Sequence, residues 1–401
     1  MTRRDAALDA KPPALVITPE SPYPISGGGA LRTASLMEYL ATRYTLEIVV
    51  FCEAGEPDPS ATFPAHCGRR IHVFTLPRHS RATIPRIARN AMRFARGVPP
   101  LIDRYAGLSR ELASLLRGRH YALSVIEHFW CAPYADVICG LSDSVVLNLH
   151  NVESVLQERS ASAELWSRAA FQRFAHAYRK LERRLLPRFD TVLATSEEDA
   201  EQVRRIQPNT RAIVYPNTIP YVGAVSRPED DAVIFSGNLE YHPNLTAIQY
   251  FRRRIWPLLR ERRPNLEWRL VGKNPRAAAA LLNATPGVRL IGPVEDAIAE
   301  LATAKVAIVP LLAGSGTRFK ILEAWAASRA VVSTSIGAEG LGARHDEHLL
   351  IADTPSAFVD AVSLLLKSSA LRRRLGEAGR ALYLQNFTWE AGWKKLSEAG
   401  F

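Results

Sequence analysis

Pro310–Ala326 reads PLLAGSGTRFKILEAWA, and this stretch decides the fold. It follows the β-branched run Val306–Val309 and leads into a helix, so strand, glycine-rich turn and helix come in immediate succession, the unit from which parallel sheets are built. Gly314 and Gly316 permit a tight turn whose backbone amides converge where the helix begins. Converging amides and the positive end of a helix suit a phosphate or a sugar hydroxyl. Arg318 and Lys320 sit in the first helical turn, where a cation opposes the helix dipole at a cost of roughly 0.3–1 kcal/mol each unless an anion lies nearby. Such a broken local rule points to a ligand. Glu323, three residues beyond Lys320, is placed either to accept hydrogen bonds from a ribose diol or to form an ion pair along the helix with Lys320.

Outward from this turn the same alternation recurs. Strand-like runs at Ala232–Phe235, Glu267–Val271, Val288–Ile291, Ala330–Thr334 and Leu349–Ile351 surround it with helical stretches between them. An earlier set comprises Ala14–Thr18, Leu46–Phe51, Ile71–Thr75, Leu123–Glu127, Val145–Leu149, Thr191–Thr195 and Ala212–Tyr215. The polar stretch Asn217–Asp231 separates the two sets and reads as a linker. Two doubly wound parallel sheets are therefore expected, facing each other across a cleft at the carboxyl ends of their strands. A length of 401 residues accommodates two such cores. A helix around Trp389–Leu396 is expected to close the chain.

Other strand ends supply further candidates. Gly27, Gly28 and Gly29 precede a helix from Ala30, a second anion-friendly amide cluster that is also compatible with a plain βα turn, and the loop lacks the GxGxxG spacing of dinucleotide oxidoreductases. His150, Asn151 and Glu153 follow the run Val145–Leu149, where a histidine can bond a sugar, assist proton transfer or simply be satisfied by backbone. Ser236, Gly237 and Asn238 follow the first strand of the second set, leaving room for phosphate or ribose or making an ordinary turn.

Composition narrows the field. Hydrophobic residues at 47% and charged residues at 23% exclude a disordered or collagenous chain, and no apolar run is long enough to span a bilayer or to act as a signal peptide, so a cytoplasmic protein is expected. Cys52, Cys67, Cys131 and Cys139 lack Cys-x-x-Cys spacing, and no Asp-x-Asp follows an apolar strand, so reduced structural thiols and no metal are expected. A net charge of +11 favours anionic partners. Nucleic acid is disfavoured, because the arginines are scattered and no recognised motif is present. Arg78–Arg96 holds six arginines and no acidic residue, with Arg86, Arg89, Arg93 and Arg96 near one helical face; it reads as a peripheral contact with an anionic membrane or as a solvated basic helix.

With these residues in view, the chain resembles the GT-B glycosyltransferases, specifically glycosyltransferase family 4, over nearly its whole length. The stretches carrying the resemblance are ISGGGALR, HNVES, ATSEEDAEQV, VYPNTIP, FSGNLEYHPN, GSGTRFKILEAWA and IGAEGL, in the family's order. The resemblance implies two Rossmann-like domains: 1–218 on the acceptor side, completed by 386–401 through the returning C-terminal helix, and 219–385 binding the nucleotide sugar. It implies a UDP- or GDP-sugar donor, a carbohydrate or lipid-linked acceptor, no cofactor, and transfer with retention of anomeric configuration. Glu323 matches the second glutamate of the family's Glu-x7-Glu motif and would hold the ribose, while Ser315 stands where the first glutamate is usual. Asn238 occupies the place of an arginine that grips the diphosphate in many relatives, with His242 or Asn244 near that of a lysine. Arg318 and Lys320 are read as the compensating cations. Gly28, Gly29, Ser236, Gly237, Ser315, Gly316 and Thr317 fall on the donor side, and His150 matches a histidine at the acceptor side of the donor sugar. A nucleotide-sugar epimerase and a non-catalytic nucleotide-sugar or polysaccharide-binding protein are the competing readings.

Overall fold

The computed structural model describes residues 11–25, 27–68, 70–80, 82–163, 168–225, 227–282, 285–313 and 318–401. Among them thirteen short apolar runs become strands, most of them buried on both faces, as parallel sheets covered by helices require. The first sheet contains β1 (Pro13–Thr18), β2 (Thr45–Glu53), β3 (Arg70–Leu76), β4 (Leu123–Glu127), β5 (Val145–Asn148), β6 (Thr191–Ala194) and β7 (Ala212–Val214), in the order β3-β2-β1-β4-β5-β6-β7. The second contains β8 (Asp230–Ser236), β9 (Glu267–Val271), β10 (Val288–Ile291), β11 (Ala304–Val309), β12 (Ala330–Ser333) and β13 (Leu350–Ile351), in the order β10-β9-β8-β11-β12-β13. Strands within each sheet pair in parallel.

The chain divides into the units Met1–Tyr215 and Pro216–Phe401. Each sheet reverses its winding once, between β1 and β4 in the first and between β8 and β11 in the second, and loops at such reversals are where open α/β sheets take ligands. The segments carrying Gly28, His128 and His150 follow β1, β4 and β5; those carrying Gly237 and Arg318 follow β8 and β11.

The cores are built differently. In the first unit aliphatic strand residues such as Leu15, Val49, Ile126 and Leu147 pack with Phe129, Tyr134 and Tyr178. In the second, Phe251, Trp256, Trp268 and Phe358 form an aromatic cluster, with Phe251 and Trp268 ring centroids 4.6 Å apart. Helix starts are capped as their sequences suggest: Ser196 accepts from Asp199 N ahead of an acidic first turn, and Thr334, Thr354, Ser368 and Thr388 each cap with the side-chain oxygen.

Three expectations shift in detail. Asp230 and Asp231, assigned to the linker, open β8 because Asp230 pairs with Ala304 of β11 and both anchor basic neighbours: Asp230 accepts from Arg269 and Asp231 from Arg263 and Lys305. Gly28 and Gly29 belong to the first turn of the helix Gly28–Arg43 instead of a loop, since Gly27, at φ 94°, makes the entry turn. Glu153 opens the helix Glu153–Ala163 and is buried within the first unit. Among the described residues no helix is long and apolar enough to cross a membrane, and the four cysteines are free thiols.

Candidate active site

The end of β8 is where the second unit gathers its polar residues. Gly237, at φ 138°, turns the chain sharply, and a β-carbon there would overlap Lys320 Nζ. The space a side chain would fill is taken by the lysine, which enters from the helix Phe319–Ala326 and donates to the Ser236 carbonyl at 2.9 Å, 4.8 Å above the Phe235 ring. Glu323, one turn further along that helix, accepts from Ser236 Oγ at 3.1 Å. Both side chains that could have paired along the helix are thus turned onto the same residue of β8.

Electrostatics follow from this packing. The surrounding protein lowers Lys320 to about 8, against the attraction of Glu323, with Arg318 pushing the same way as burial. Glu323 is raised from the usual carboxylate range by burial, opposed by Lys320 and by the Ser236 hydrogen bond. A half-buried ammonium and carboxylate with few direct partners gain from a ligand that offers an anion and a diol.

Asn238 and Arg318 behave differently. Asn238 Oδ1 accepts from Glu240 N at 3.0 Å and from Asn274 Nδ2 at 3.2 Å, so its side chain braces the loop, while its carbonyl accepts from Asn244 Nδ2 at 2.7 Å. Arg318, buried ahead of its helix, donates to the Ile336 carbonyl at 3.3 Å and lies 4.0 Å from Glu339, within the IGAEGL stretch. Lys320 therefore faces β8 and Arg318 faces the short helix Ser335–Ala338. Ser315, Gly316 and Thr317 lie outside the described residues.

In the first unit, the candidate histidine stands in a polar cluster. His150 Nε2 donates to Glu127 Oε2 at 2.9 Å, and Glu127 also accepts from Thr33 Oγ1 and from Asn148 Nδ2, each at 3.0 Å. Three converging donors hold Glu127 as an acceptor although burial raises its pKa. The bond assigns the His150 proton to Nε2 and leaves Nδ1 as the acceptor, on the side where a β-carbon at Gly29 would lie 3.8 Å away. Burial, followed by the charge of Arg32, holds His150 well below the usual imidazole range and hence neutral. Arg32 binds Asn148 Oδ1 at 2.9 Å and the Tyr215 carbonyl at 2.6 Å, so it too is structural.

Sequence reasoning passed over several members of this cluster. His128 adopts φ 63° and stacks on His150 at 3.4 Å and on Trp130 at 4.2 Å between ring centroids. Trp130 Nε1 donates to Glu153 at 2.9 Å, and burial raises that carboxyl to about 8. Glu127 and His128 lie at the end of β4, so the strand-end rule applied to every strand would have found them. Glu38, His66 and Cys67 escape the same rule, being remote in sequence; their ligand-type atoms lie within 4.8 Å of one another. They satisfy one another instead: His66 and Cys67 both bond Glu38, Tyr23 donates to it at 2.9 Å, and burial pushes the Cys67 thiol up to about 12.

Two parallel α/β units with polar residues gathered at their winding reversals define a fold class shared with solved GT-B enzymes. Sucrose-phosphate synthase from Thermosynechococcus elongatus superposes with a TM-score of 0.75 at 17% identity, covering 97% of this chain and 98% of its own. HepE from Anabaena, solved with UDP and glucose, gives 0.64 at 14% identity over 96% of this chain and 98% of its own. In sequence, residues 27–218 match the glycosyl transferase 4-like domain and 230–368 the glycosyl transferases group 1 family. A curated relative, the uncharacterized 44.6 kDa protein in the cps region of Klebsiella pneumoniae, is 23% identical over 363 residues, 86% of this chain and 88% of that protein. The chain belongs to the GT-B glycosyltransferases of the family 4 type, and it is a transferase.

Proposed function

We propose that this enzyme transfers a sugar from a UDP- or GDP-sugar to a hydroxyl of a carbohydrate or lipid-linked acceptor in polysaccharide or glycoconjugate synthesis, with retention and without a metal. The observation carrying this reading is the convergence of Lys320 and Glu323 on Ser236 at the winding reversal of the second sheet. There the ammonium faces the diphosphate and Glu323 accepts from the ribose hydroxyls. UDP ranks first, because HepE is solved with UDP and glucose and TarM of S. aureus with UDP.

In the transfer, the bond from the anomeric carbon to the leaving phosphate oxygen breaks. The acceptor oxygen bonds to that carbon on the same face, and its proton passes to the departing diphosphate. Lys320 and the helix amides stabilise the charge that develops on the diphosphate, while Arg318 holds the Ile336 segment beside them, and His150 accepts from a sugar hydroxyl through Nδ1.

The test is thermal stabilisation by UDP, GDP, ADP and their sugars, with and without EDTA. One diphosphate is expected to raise the melting temperature irrespective of EDTA, and Glu323→Ala to weaken its binding about tenfold to a hundredfold through loss of charge-assisted hydrogen bonds. No stabilisation by any nucleotide, or full stabilisation of the alanine variant, would sink the assignment.

A further inference from the structure

The proposed transfer leaves one cluster of the first unit without a role. Tyr23, Glu38, His66 and Cys67 come from three separate segments: the loop after β1, the helix Gly28–Arg43 and the turn that precedes β3. His66 Nε2 lies 2.8 Å from Glu38 Oε2, and Cys67 Sγ lies 3.3 Å from Glu38 Oε1. Tyr23 donates its hydroxyl to Glu38 Oε1 at 2.9 Å, and that hydroxyl is 3.4 Å from the same sulfur. Carboxylate, imidazole and thiol thus converge on one spot, each offering a ligand atom within 4.8 Å of the other two.

The setting suits a cation. Burial pushes the Glu38 carboxyl upward, but the hydrogen bonds from His66, Cys67 and Tyr23 outweigh it and hold the group below its usual range. Among the described residues no lysine or arginine pairs with this anion. Its surroundings are also firm on one side and open on the other. Cys67 is fully buried, its N–H bonds the Pro64 carbonyl at 2.9 Å, and a β-carbon on Gly68 would come within 3.0 Å of Ile48, so the turn lies hard against the sheet. The Tyr23 ring meets Phe63 edge-on at 5.7 Å. The His66 side chain is 63% exposed and supplies both an entry path and freedom to adjust.

We propose that Glu38, His66 and Cys67 bind a zinc ion, with water at the fourth position, and that the ion pins the turn ahead of β3 to the helix Gly28–Arg43. A mixed set of one oxygen, one nitrogen and one sulfur selects zinc over the harder divalent cations, which prefer oxygen alone. With bonds of roughly 2.0–2.3 Å, a tetrahedral zinc holds its ligand atoms roughly 3.3–3.6 Å apart. The Glu38–Cys67 separation already matches, and the exposed imidazole needs to withdraw by only about 0.5 Å. Without the ion the three groups satisfy one another through shared protons. When it binds, the thiol proton leaves to solvent, the imidazole binds through Nε2 as the neutral ring, and Tyr23 stays behind Glu38 as the donor that orients it. The absence of Cys-x-x-Cys spacing does not bear on such a site, whose carboxylate comes from a helix 28 residues before the histidine. Sugar transfer does not require this ion: the site lies in the first unit, and Lys320 and Glu323 lie in the second.

Zinc alone, titrated into the full-length protein against a chromogenic chelator, tests the proposal. One ion per chain is expected, and it should raise the melting temperature. Cobalt(II) in its place should give the visible bands of tetrahedral coordination together with a thiolate charge-transfer band in the near ultraviolet. Cys67→Ser should remove that band. His66→Gln, at an exposed side chain, should weaken zinc binding at least about tenfold, and it decides the matter alone if the serine variant does not fold. Cys52→Ser should change nothing. EDTA should lower the melting temperature of the zinc-loaded protein while leaving the increment given by a nucleotide as it was, so failure here is separable from failure of the donor site. No zinc held against the chelator, a cobalt spectrum without the thiolate band, or undiminished affinity in His66→Gln would each overturn the proposal.

Discussion

Lys320 is the residue on which the proposed donor site turns, because its charge state is adjustable near neutral pH. With burial lowering it to about 8, affinity for a diphosphate is expected to fall as the pH rises through that value, the free amine having lost its attraction for the anion. A bound diphosphate favours the ammonium and moves the midpoint upward. Lys320→Arg should hold its charge through this range and flatten the profile, whereas Lys320→Met should bind about tenfold to a hundredfold more weakly at neutral pH and also lose the slope. Calorimetric titration with UDP across the range checks this; an unchanged slope in both variants would move the titrating group elsewhere. The same shift has a sign in folding. From about 8 up to the ordinary lysine range the unfolded chain holds a proton that the fold does not, so the stability of the ligand-free protein rises with pH there.

At the scale of elements, the helix bearing Lys320 and Glu323 is aimed by what packs behind it. A β-carbon at Gly379, in the helix Ser369–Asn386, would overlap the Trp325 indole, and one at Gly376 would overlap the Ser328 carbonyl. Two glycines one turn apart thus let that helix lie directly on the back of Phe319–Ala326. Gly379→Ala is expected to destabilise the protein by about 1–3 kcal/mol despite alanine's better helix propensity, because the indole is fully buried and cannot retreat. A melting temperature lowered by about 2–4 °C per kcal/mol would show it, and the combination with Trp325→Phe should recover part of the loss. An unchanged melting temperature would mean that the two helices separate without penalty.

For the molecule as a whole, Ser236, Gly237, Lys320 and Glu323, the described residues proposed to hold the donor, fall in one unit, which has its own sheet and aromatic core. Hydrogen exchange on the full chain should therefore respond to UDP chiefly in peptides covering the end of β8 and the helix Phe319–Ala326. Protection confined to 1–215 would contradict the assignment.

Much of this architecture is legible in the order of residues alone. The strands fall where β-branched runs stand between helical stretches, because a strand buried on both faces must be apolar along its length, a local and contiguous signal. The strand-end rule then brings Ser236, Gly237, His150, Lys320 and Glu323 to attention, since position at the end of a strand is also a matter of order along the chain. What the order of residues does not decide is direction. Whether Lys320 pairs with Glu323 or crosses to Ser236, 84 residues away, depends on a strand and a helix meeting in space. Whether His150 is exposed or held by Glu127 depends on β4 and β5 lying side by side. The helix Thr83–Arg96 leaves Ile84 and Ile87 exposed for the same cause: periodicity shows that a helix has two faces, and only the packing of Arg93 on Asp103 settles which one the protein keeps.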